Sequence, residues 1–231
     1  MRNNCEKNDL VIKVVRNFED AQKVFKLRYE VFGKEGYLNM SDYPLGMEYD
    51  EYDHLPETTL FLAEVDGKPV GTIRLVLDSP RGLSVESHIK NVDDYRMEGR
   101  KVAEGSRWAL LPEYRSNSHI SMGLMKIIYI YGIKEYGVTD YISHFNLGNH
   151  DGNSRRRPNV AKLVEILFGY KAIGEPFYHE EFNEDALPMR VEVGNLTKRA
   201  DSFVHTPTPS VEQPYHVLEK EQLACTTKFA A

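Results

Sequence analysis

Hydrophobic residues follow extended and then helical spacing in the first part of the chain. Residues 10–15 are rich in β-branched side chains and predict a short strand. Asn17 predicts the cap of a helix that Gly33 and Gly36 end, because the apolar positions after it recur at helical intervals: Phe18, Ala21, Val24, Phe25, Val31 and Phe32. Residues 37–58 show no period. A connection of that length is usually functional or poorly ordered.

The rest of the chain alternates strands and helices up to about residue 195. A hairpin is predicted around the turn Asp66-Gly67-Lys68-Pro69. The predicted strands are 59–65, 70–77, 102–110, 140–145, 170–173 and 188–193, and the predicted helices are 118–136 and 158–168. This order indicates one mixed α/β domain of the α+β type, an open mixed sheet with helices on its faces, over residues 1–195. The Pro-rich stretch 206–210 marks residues 196–231 as an extension packed on the domain or on a partner subunit.

Composition narrows the class of protein. Hydrophobic residues make up 41% of 231, enough for one core, and the net charge of −6 argues against non-specific nucleic-acid binding by the whole surface. No apolar run approaches the roughly 20 residues of a transmembrane helix, and the first 15 residues lack the apolar stretch of a secretory signal. Cys5 and Cys225 are the only cysteines, so neither a disulfide framework nor a Cys-rich zinc site is encoded. We therefore expect a cytoplasmic protein.

The residue pattern supports neither a metal site nor a catalytic nucleophile. His144, His150 and Asp151 lack the ligand spacing of a known zinc class, so we expect no metal site, a hydrogen-bonded histidine and ordinary loop residues there. Both cysteines are terminal and no Ser-His-Asp set is evident. An acyl-enzyme intermediate is therefore not expected.

Four local patterns, in order, carry a family resemblance. They are Leu27-Arg-Tyr-Glu-Val-Phe32 with the acidic run after it, Gly71-Thr-Ile-Arg74, Glu104-Gly-Ser-Arg107, and Leu167-Phe-Gly-Tyr170. Together they resemble the acyl-homoserine-lactone (autoinducer) synthases and, more closely, the long-chain N-acyl amino acid synthases, both of the GCN5-related N-acyltransferase superfamily. The resemblance covers about residues 12–195. It implies a mostly antiparallel central sheet with helices on both faces and a V-shaped gap between two strands for pantetheine.

The resemblance also implies a catalytic set on the third strand. Glu104 would accept a proton from the acceptor amine, and backbone N–H groups of Ser106, Arg107 and Trp108 would stabilise the oxyanion. Glu104 and Arg107 are three apart, which puts them on opposite faces of a regular strand. We therefore expect a β-bulge that turns both toward one groove.

A second set is implied beside the acceptor pocket. Arg28, Asp50, Asp53 and Arg74 match residues that form a charged network in the resembling families, for which the planar arginine fork is suited. Direct substrate contact is expected mainly for Arg74. Phe32 belongs to the same substrate-binding set and is expected in the core.

The segment expected to bind the acyl donor differs from that of superfamily members that use acetyl-CoA. Residues 115–123 lack the close-set glycines that hold pyrophosphate, which favours an acyl carrier protein, with its single phosphate, over acyl-CoA as co-substrate. Arg115, Ser116 and Asn117 are the predicted phosphate site, and Arg155, Arg156 and Arg157 form a basic patch for an acidic carrier.

We therefore expect transfer of a fatty acyl group, in a ternary complex, to the α-amine of an amino acid, with no tightly bound cofactor. An S-adenosylmethionine-dependent lactone synthase is an alternative, although Tyr37 replaces the tryptophan typical of that family. A non-catalytic carrier- or lipid-binding module and acetylation from acetyl-CoA are the others.

Overall fold

A computed structural model describes residues 9–97, 99–148 and 158–200. The strands are β1 Leu10–Val14, β2 Thr58–Val65, β3 Lys68–Leu77, β4 Val102–Leu110, β5 Asp140–Asn146, β6 Lys171–Ala172, β7 Phe177–His179 and β8 Glu184–Glu192. The helices are α1 Phe18–Lys34, α2 Ser118–Tyr131, α3 Val160–Phe168 and α4 Val193–Ala200. The order and positions of the predicted elements are largely confirmed, whereas the short strand β7 and the helix α4 were not predicted.

All eight strands form one sheet in the order β1-β2-β3-β4-β5-β8-β6, with β7 also paired to β8. Every pairing is antiparallel except that of β4 with β5. The predicted mixed, mostly antiparallel sheet is therefore confirmed. In β2, Phe61 packs against α2 on one face, and Leu60 and Leu62 pack with α1 on the other, as the two-residue period of a strand requires.

Capping residues set the starts of the helices. The Asn17 side chain accepts a hydrogen bond from the backbone N–H of Asp20 at 2.8 Å, which confirms the predicted cap of α1. Asn117 and Asn159 cap α2 and α3 in the same way. The predicted long helix 118–136 is α-helical only to Tyr131 and continues as a π-helical turn.

The end of the described chain belongs to the main core. Leu196 on α4 is buried in the same hydrophobic cluster as α2 and α3. The predicted extension 196–231 thus begins inside a helix of the domain, and its residues from 201 on, including the Pro-rich stretch, lie outside the described residues. No described helix has both the length and the apolar character needed to cross a membrane.

Candidate active site

A β-bulge interrupts the pairing of β3 with β4. The register shifts between Thr72 and Arg74, so Ile73 faces two residues of β4. Arg107, the first of those two, has a φ angle of 53°, which is uncommon for a residue with a side chain. A bulge was predicted from the spacing of Glu104 and Arg107, and the structure places one at Arg107 and Trp108. It directs Arg107 to the acidic loop after α1, whereas Glu104 contacts Ser84 outside the pocket wall described below.

The acidic loop after α1 binds two fully buried arginines. Arg28 holds both carboxylate oxygens of Asp53 at 2.8–3.0 Å, and Arg74 donates to Oδ1 of Asp50 at 2.5 Å. Asp50 and Asp53 also cap the short turn Glu51–His54 reciprocally. Burial alone would raise the pKa of both aspartates, but the arginine charges outweigh it and hold both pKa values below their usual range.

Arg107 joins this cluster from the bulge. Its Nε donates to Oε1 of Glu48 at 2.9 Å, and its Nη2 donates to Oδ2 of Asp50 at 2.7 Å. Nη2 also lies 3.2 Å from Glu181, and the guanidinium carbon lies 4.5 Å from the centre of the Phe182 ring. Three buried arginines thus meet four carboxylates, those of Glu48, Asp50, Asp53 and Glu181. The predicted network extends to Glu48, whose role the sequence did not single out from the rest of the acidic run.

Both carboxylate oxygens of Glu104 accept hydrogen bonds from the segment that follows β3. Its Oε1 accepts from the Ser84 hydroxyl at 2.6 Å, and its Oε2 accepts from the backbone N–H groups of Ser84 at 2.8 Å and Val85 at 3.4 Å. The side chain is completely buried and does not line the pocket described next. The structure therefore shows Glu104 anchoring the segment that covers the sheet, while its predicted role as a base stays a prediction.

A pocket of about 150 Å³ opens where β4 and β5 part. The two strands pair only from Val102 to Glu104 on β4, after which the Ser143 hydroxyl bridges the strands by donating to the Gly105 carbonyl at 2.7 Å. Beyond that point the walls come from the bulge, from β5 and from neighbouring elements: Phe32, Tyr37, Gly105, Ser106, Arg107, Trp108, His144, Phe145, Asn146, Val160, Phe182 and Glu184. The pocket thus occupies the gap that the family resemblance implies.

Aromatic rings form one wall of this pocket. Phe32 is buried, as predicted, and its ring meets Tyr37 and Phe182 edge-on at centroid distances of 6.1 and 5.3 Å. The Asn146 amide donates to the Tyr37 hydroxyl at 3.1 Å. Tyr37 therefore lies in the pocket wall.

Three buried polar atoms around the pocket have no hydrogen-bond partner among the described residues: Trp108 Nε1, His144 Nδ1 and His179 Nδ1. The expectation that His144 is a satisfied histidine is thus wrong for Nδ1, because β5 carries it into the gap between the strands. Burial and the charges of His179 and Arg107 lower the pKa of His144 to about 3, and burial with the charge of Arg107 lowers the pKa of His179 to about 4. Both rings are neutral near neutral pH.

The predicted phosphate-binding residues lie at the start of α2. Arg115 is partly exposed; its Nε donates to the Leu110 carbonyl at 3.2 Å and its Nη1 to Glu35 at 2.8 Å. Asn117 caps α2 through its side chain, and Ser116 is exposed beside it. Of the three predicted residues at the start of α2, Arg115 is the one that carries a positive charge.

The remaining predicted residues lie in a part of the chain that the structure does not describe. Arg155, Arg156 and Arg157, together with His150 and Asp151, lie between residues 149 and 157, outside the described residues. Within the described ranges, no group of three or more His, Cys, Asp or Glu side chains is arranged to hold a metal ion.

Comparisons with solved structures find the same fold. The structure of FeeM, an N-acyl amino acid synthase from uncultured soil microbes, superposes with a TM-score of 0.67 at 18% identity, over 85% of this chain and 98% of that one. A CoA-dependent acyl-homoserine lactone synthase, BjaI, gives 0.62 at 19% identity over 94% and 98%, and the acyl-homoserine lactone synthase LasI gives 0.56 at 17% over 90% and 100%. No curated protein matches the sequence.

The sequence itself supplies the stronger evidence. A model of the family described as N-acyl amino acid synthase FeeM matches residues 23–192, which contain the bulge, the charged cluster and the pocket. That stretch is well over half of the chain. The protein therefore belongs to the FeeM N-acyl amino acid synthase family and is an N-acyltransferase.

Proposed function

We propose that this enzyme transfers a long-chain fatty acyl group from the phosphopantetheine of an acyl carrier protein to the α-amine of an amino acid. The observation that carries the proposal is the pocket between the parted strands β4 and β5, with the strained bulge at Arg107 on its wall. Because β5 pairing stops at Glu104, the backbone of Ser106–Trp108 borders the pocket, where its N–H groups would polarise a thioester carbonyl.

The reaction is direct attack in a ternary complex. The acceptor loses one proton to become a neutral amine, its nitrogen forms a bond to the thioester carbon, and the carbon–sulfur bond breaks. The second amine proton goes to the departing pantetheine sulfur, which leaves as a thiol. The charged cluster of Arg28, Arg74 and Arg107 holds the acidic loop against the sheet beside this pocket.

Mass spectrometry of one reaction tests the proposal. The full chain is incubated with palmitoyl carrier protein and the twenty amino acids, with parallel tubes that contain palmitoyl-CoA as donor or S-adenosylmethionine as an additional acceptor. An N-acyl amino acid formed from the carrier supports the proposal and names the acceptor. Product only from the CoA thioester overturns the carrier as donor. An acyl lactone found only with S-adenosylmethionine, or no product with carrier binding intact, overturns the reaction itself.

Arg115 offers a sharper test of the donor. Arg115→Gln should raise the KM for the carrier about tenfold, equivalent to about 1.4 kcal/mol, with little change in kcat, because one charge-assisted contact to phosphate is lost. Arg81→Gln is the matched control, since Arg81 is as exposed as Arg115 and likewise pairs with one glutamate, Glu51. Equal KM values for the two variants would remove Arg115 from the carrier site.

A further inference from the structure

His144 lies across the gap between the parted strands from the backbone proposed to polarise the thioester. The last pair of the parallel ladder joins Glu104 on β4 to Ile142 on β5. Two residues further along each strand, Ser106 and His144 therefore stand at the same level. Both residues line the pocket. A carbonyl group held between the strands would have the backbone of Ser106 on one side and the His144 ring on the other.

The His144 ring makes no hydrogen bond to a described residue. Its Nδ1 is buried without a partner, and its neighbours are the rings of His179 and Phe177, at centroid distances of 4.8 and 5.9 Å. The hydrogen bonds that an imidazole makes decide which of its nitrogens carries the proton. Since no described residue makes that choice here, an oxygen atom of a ligand in the pocket can hold the N–H on the nitrogen that it meets.

The surroundings of His144 keep the ring uncharged. Burial is the largest cause that lowers its pKa, to about 3, because the charged form is poorly solvated there. The ionisable groups that act in the same direction are His179 on β7, Arg107 on β4, His88 from the segment after β3, and Arg74 on β3. A ring with this pKa is a poor proton acceptor. Its N–H group remains a hydrogen-bond donor, and a neutral imidazole held in this way can polarise a carbonyl group.

We propose that His144 is a catalytic hydrogen-bond donor of this enzyme: its neutral ring donates an N–H to the thioester carbonyl oxygen and stabilises the oxyanion that forms during attack. This assignment rests on the proposed function. The amine lone pair forms the bond to the carbonyl carbon while the π electrons of the carbonyl move to its oxygen. The carbon–sulfur bond then breaks as the carbonyl forms again. The imidazole proton stays on its nitrogen throughout, and the ring takes no proton from the acceptor.

Steady-state kinetics of His144→Leu test this role, with palmitoyl carrier protein and the acceptor named by mass spectrometry. The variant should lower kcat by about 10²–10³-fold with little change in either KM, because the lost contact is strongest in the transition state. The deficit should be the same across the neutral pH range, since a ring that stays neutral does not titrate there. His144→Met repeats the measurement if the leucine variant folds poorly.

His179→Leu is the matched control for lost packing. The His179 ring contacts that of His144 and its Nδ1 is also buried without a partner, but the residue is not part of the pocket wall. This variant should keep kcat close to that of the wild type, because it removes a similar ring without removing the donor to the substrate.

Isotope-edited infrared spectroscopy measures the hydrogen bond itself. Palmitoyl carrier protein labelled with ¹³C at the thioester carbonyl is bound to the enzyme without an acceptor. Since a hydrogen bond to oxygen weakens the C=O bond, the carbonyl band should lie at lower frequency on the wild type and on His179→Leu than on His144→Leu.

The assignment would be overturned by any of four results: wild-type kcat in His144→Leu, an equal loss in His179→Leu, a deficit that shrinks as pH rises, as loss of a base would give, or the same carbonyl band on the wild type and His144→Leu. Absence of any N-acyl product from the wild type would instead refute the proposed function.

Discussion

Asp53 is the carboxylate on which the buried charge cluster depends most. Its side chain is completely buried, receives three hydrogen bonds from Arg28, lies 3.2 Å from Arg74 and accepts from the Asp50 backbone N–H at 2.9 Å. Asp53→Asn keeps the shape but removes the charge. Among the described carboxylates, Arg28, itself fully buried, then keeps only Glu48 as an ion-pair partner, at 3.4 Å.

The expected cost follows from this burial. Removing one partner of a buried ion pair leaves an uncompensated charge and costs about 3–5 kcal/mol. Typical domains have about 5–15 kcal/mol of total stability, so Asp53→Asn should lower the urea midpoint by a large fraction. Glu181→Gln is the matched control, because Glu181 also pairs with a buried arginine but is 42% exposed. It should cost less than about 1 kcal/mol.

Urea unfolding followed by circular dichroism measures both variants, with equal slopes required for the comparison. The double variant Arg28→Met/Asp53→Asn completes the cycle and should be less destabilised than the sum of the two single losses, because the orphaned charge is then gone. If Asp53→Asn lies within about 1 kcal/mol of Glu181→Gln, the cluster is solvated and the reasoning from its burial fails.

Two further predictions concern His144 in the pocket wall and Ser84, which holds the Glu104 carboxylate. The pKa of His144 in the folded protein lies below its unfolded value, so the unfolded chain binds an extra proton between about pH 4 and 6, and the free energy of unfolding falls as pH falls there. His144→Gln should flatten this pH dependence by about 1.4 kcal/mol per pH unit, measured by urea unfolding at several pH values. An unchanged slope would show that His144 is solvated. Ser84→Ala removes the hydroxyl that donates to the buried Glu104 carboxylate at 2.6 Å, and it should lower the free energy of unfolding by about 1.5–3 kcal/mol in the same assay. Ser87→Ala, at an exposed position, is the control and should leave stability unchanged. Equal costs would contradict the anchoring role of Glu104.

Local signals predicted most of the fold. The hairpin of β2 and β3 follows from two apolar runs that flank Asp66 and Gly67, both of which have positive φ angles as a tight turn requires. The strand β7 was missed because Phe177–His179 is three residues long and carries no alternation of its own. It exists because it pairs with β8 across a short turn, and a strand of three residues is too short to show a period.

The residues of the candidate site also fall into those that local sequence signals predicted and those that depend on contacts between distant segments. Arg28, Asp50, Asp53 and Arg74 were predicted because ordered motifs mark them, and the structure brings them together. Glu48 was hidden inside an acidic run, and its burial depends on Arg107 arriving from β4. His144 was discounted for the same reason, since nothing local shows that the neighbouring strand has already turned away at that position.

The bulge connects the stability of the charged cluster to the shape of the pocket wall. A residue such as Arg107 holds a left-handed conformation only when surrounding contacts over-determine it, and here those contacts are Glu48 and Asp50. The backbone that borders the pocket is therefore oriented by carboxylates on a loop that no strand pairing supports. Because the same carboxylates pin that loop to α1 and β3, a change in the cluster should disturb the bulge and the pocket wall together. The acidic loop, long and aperiodic in the sequence, is thus part of the scaffold of the active site.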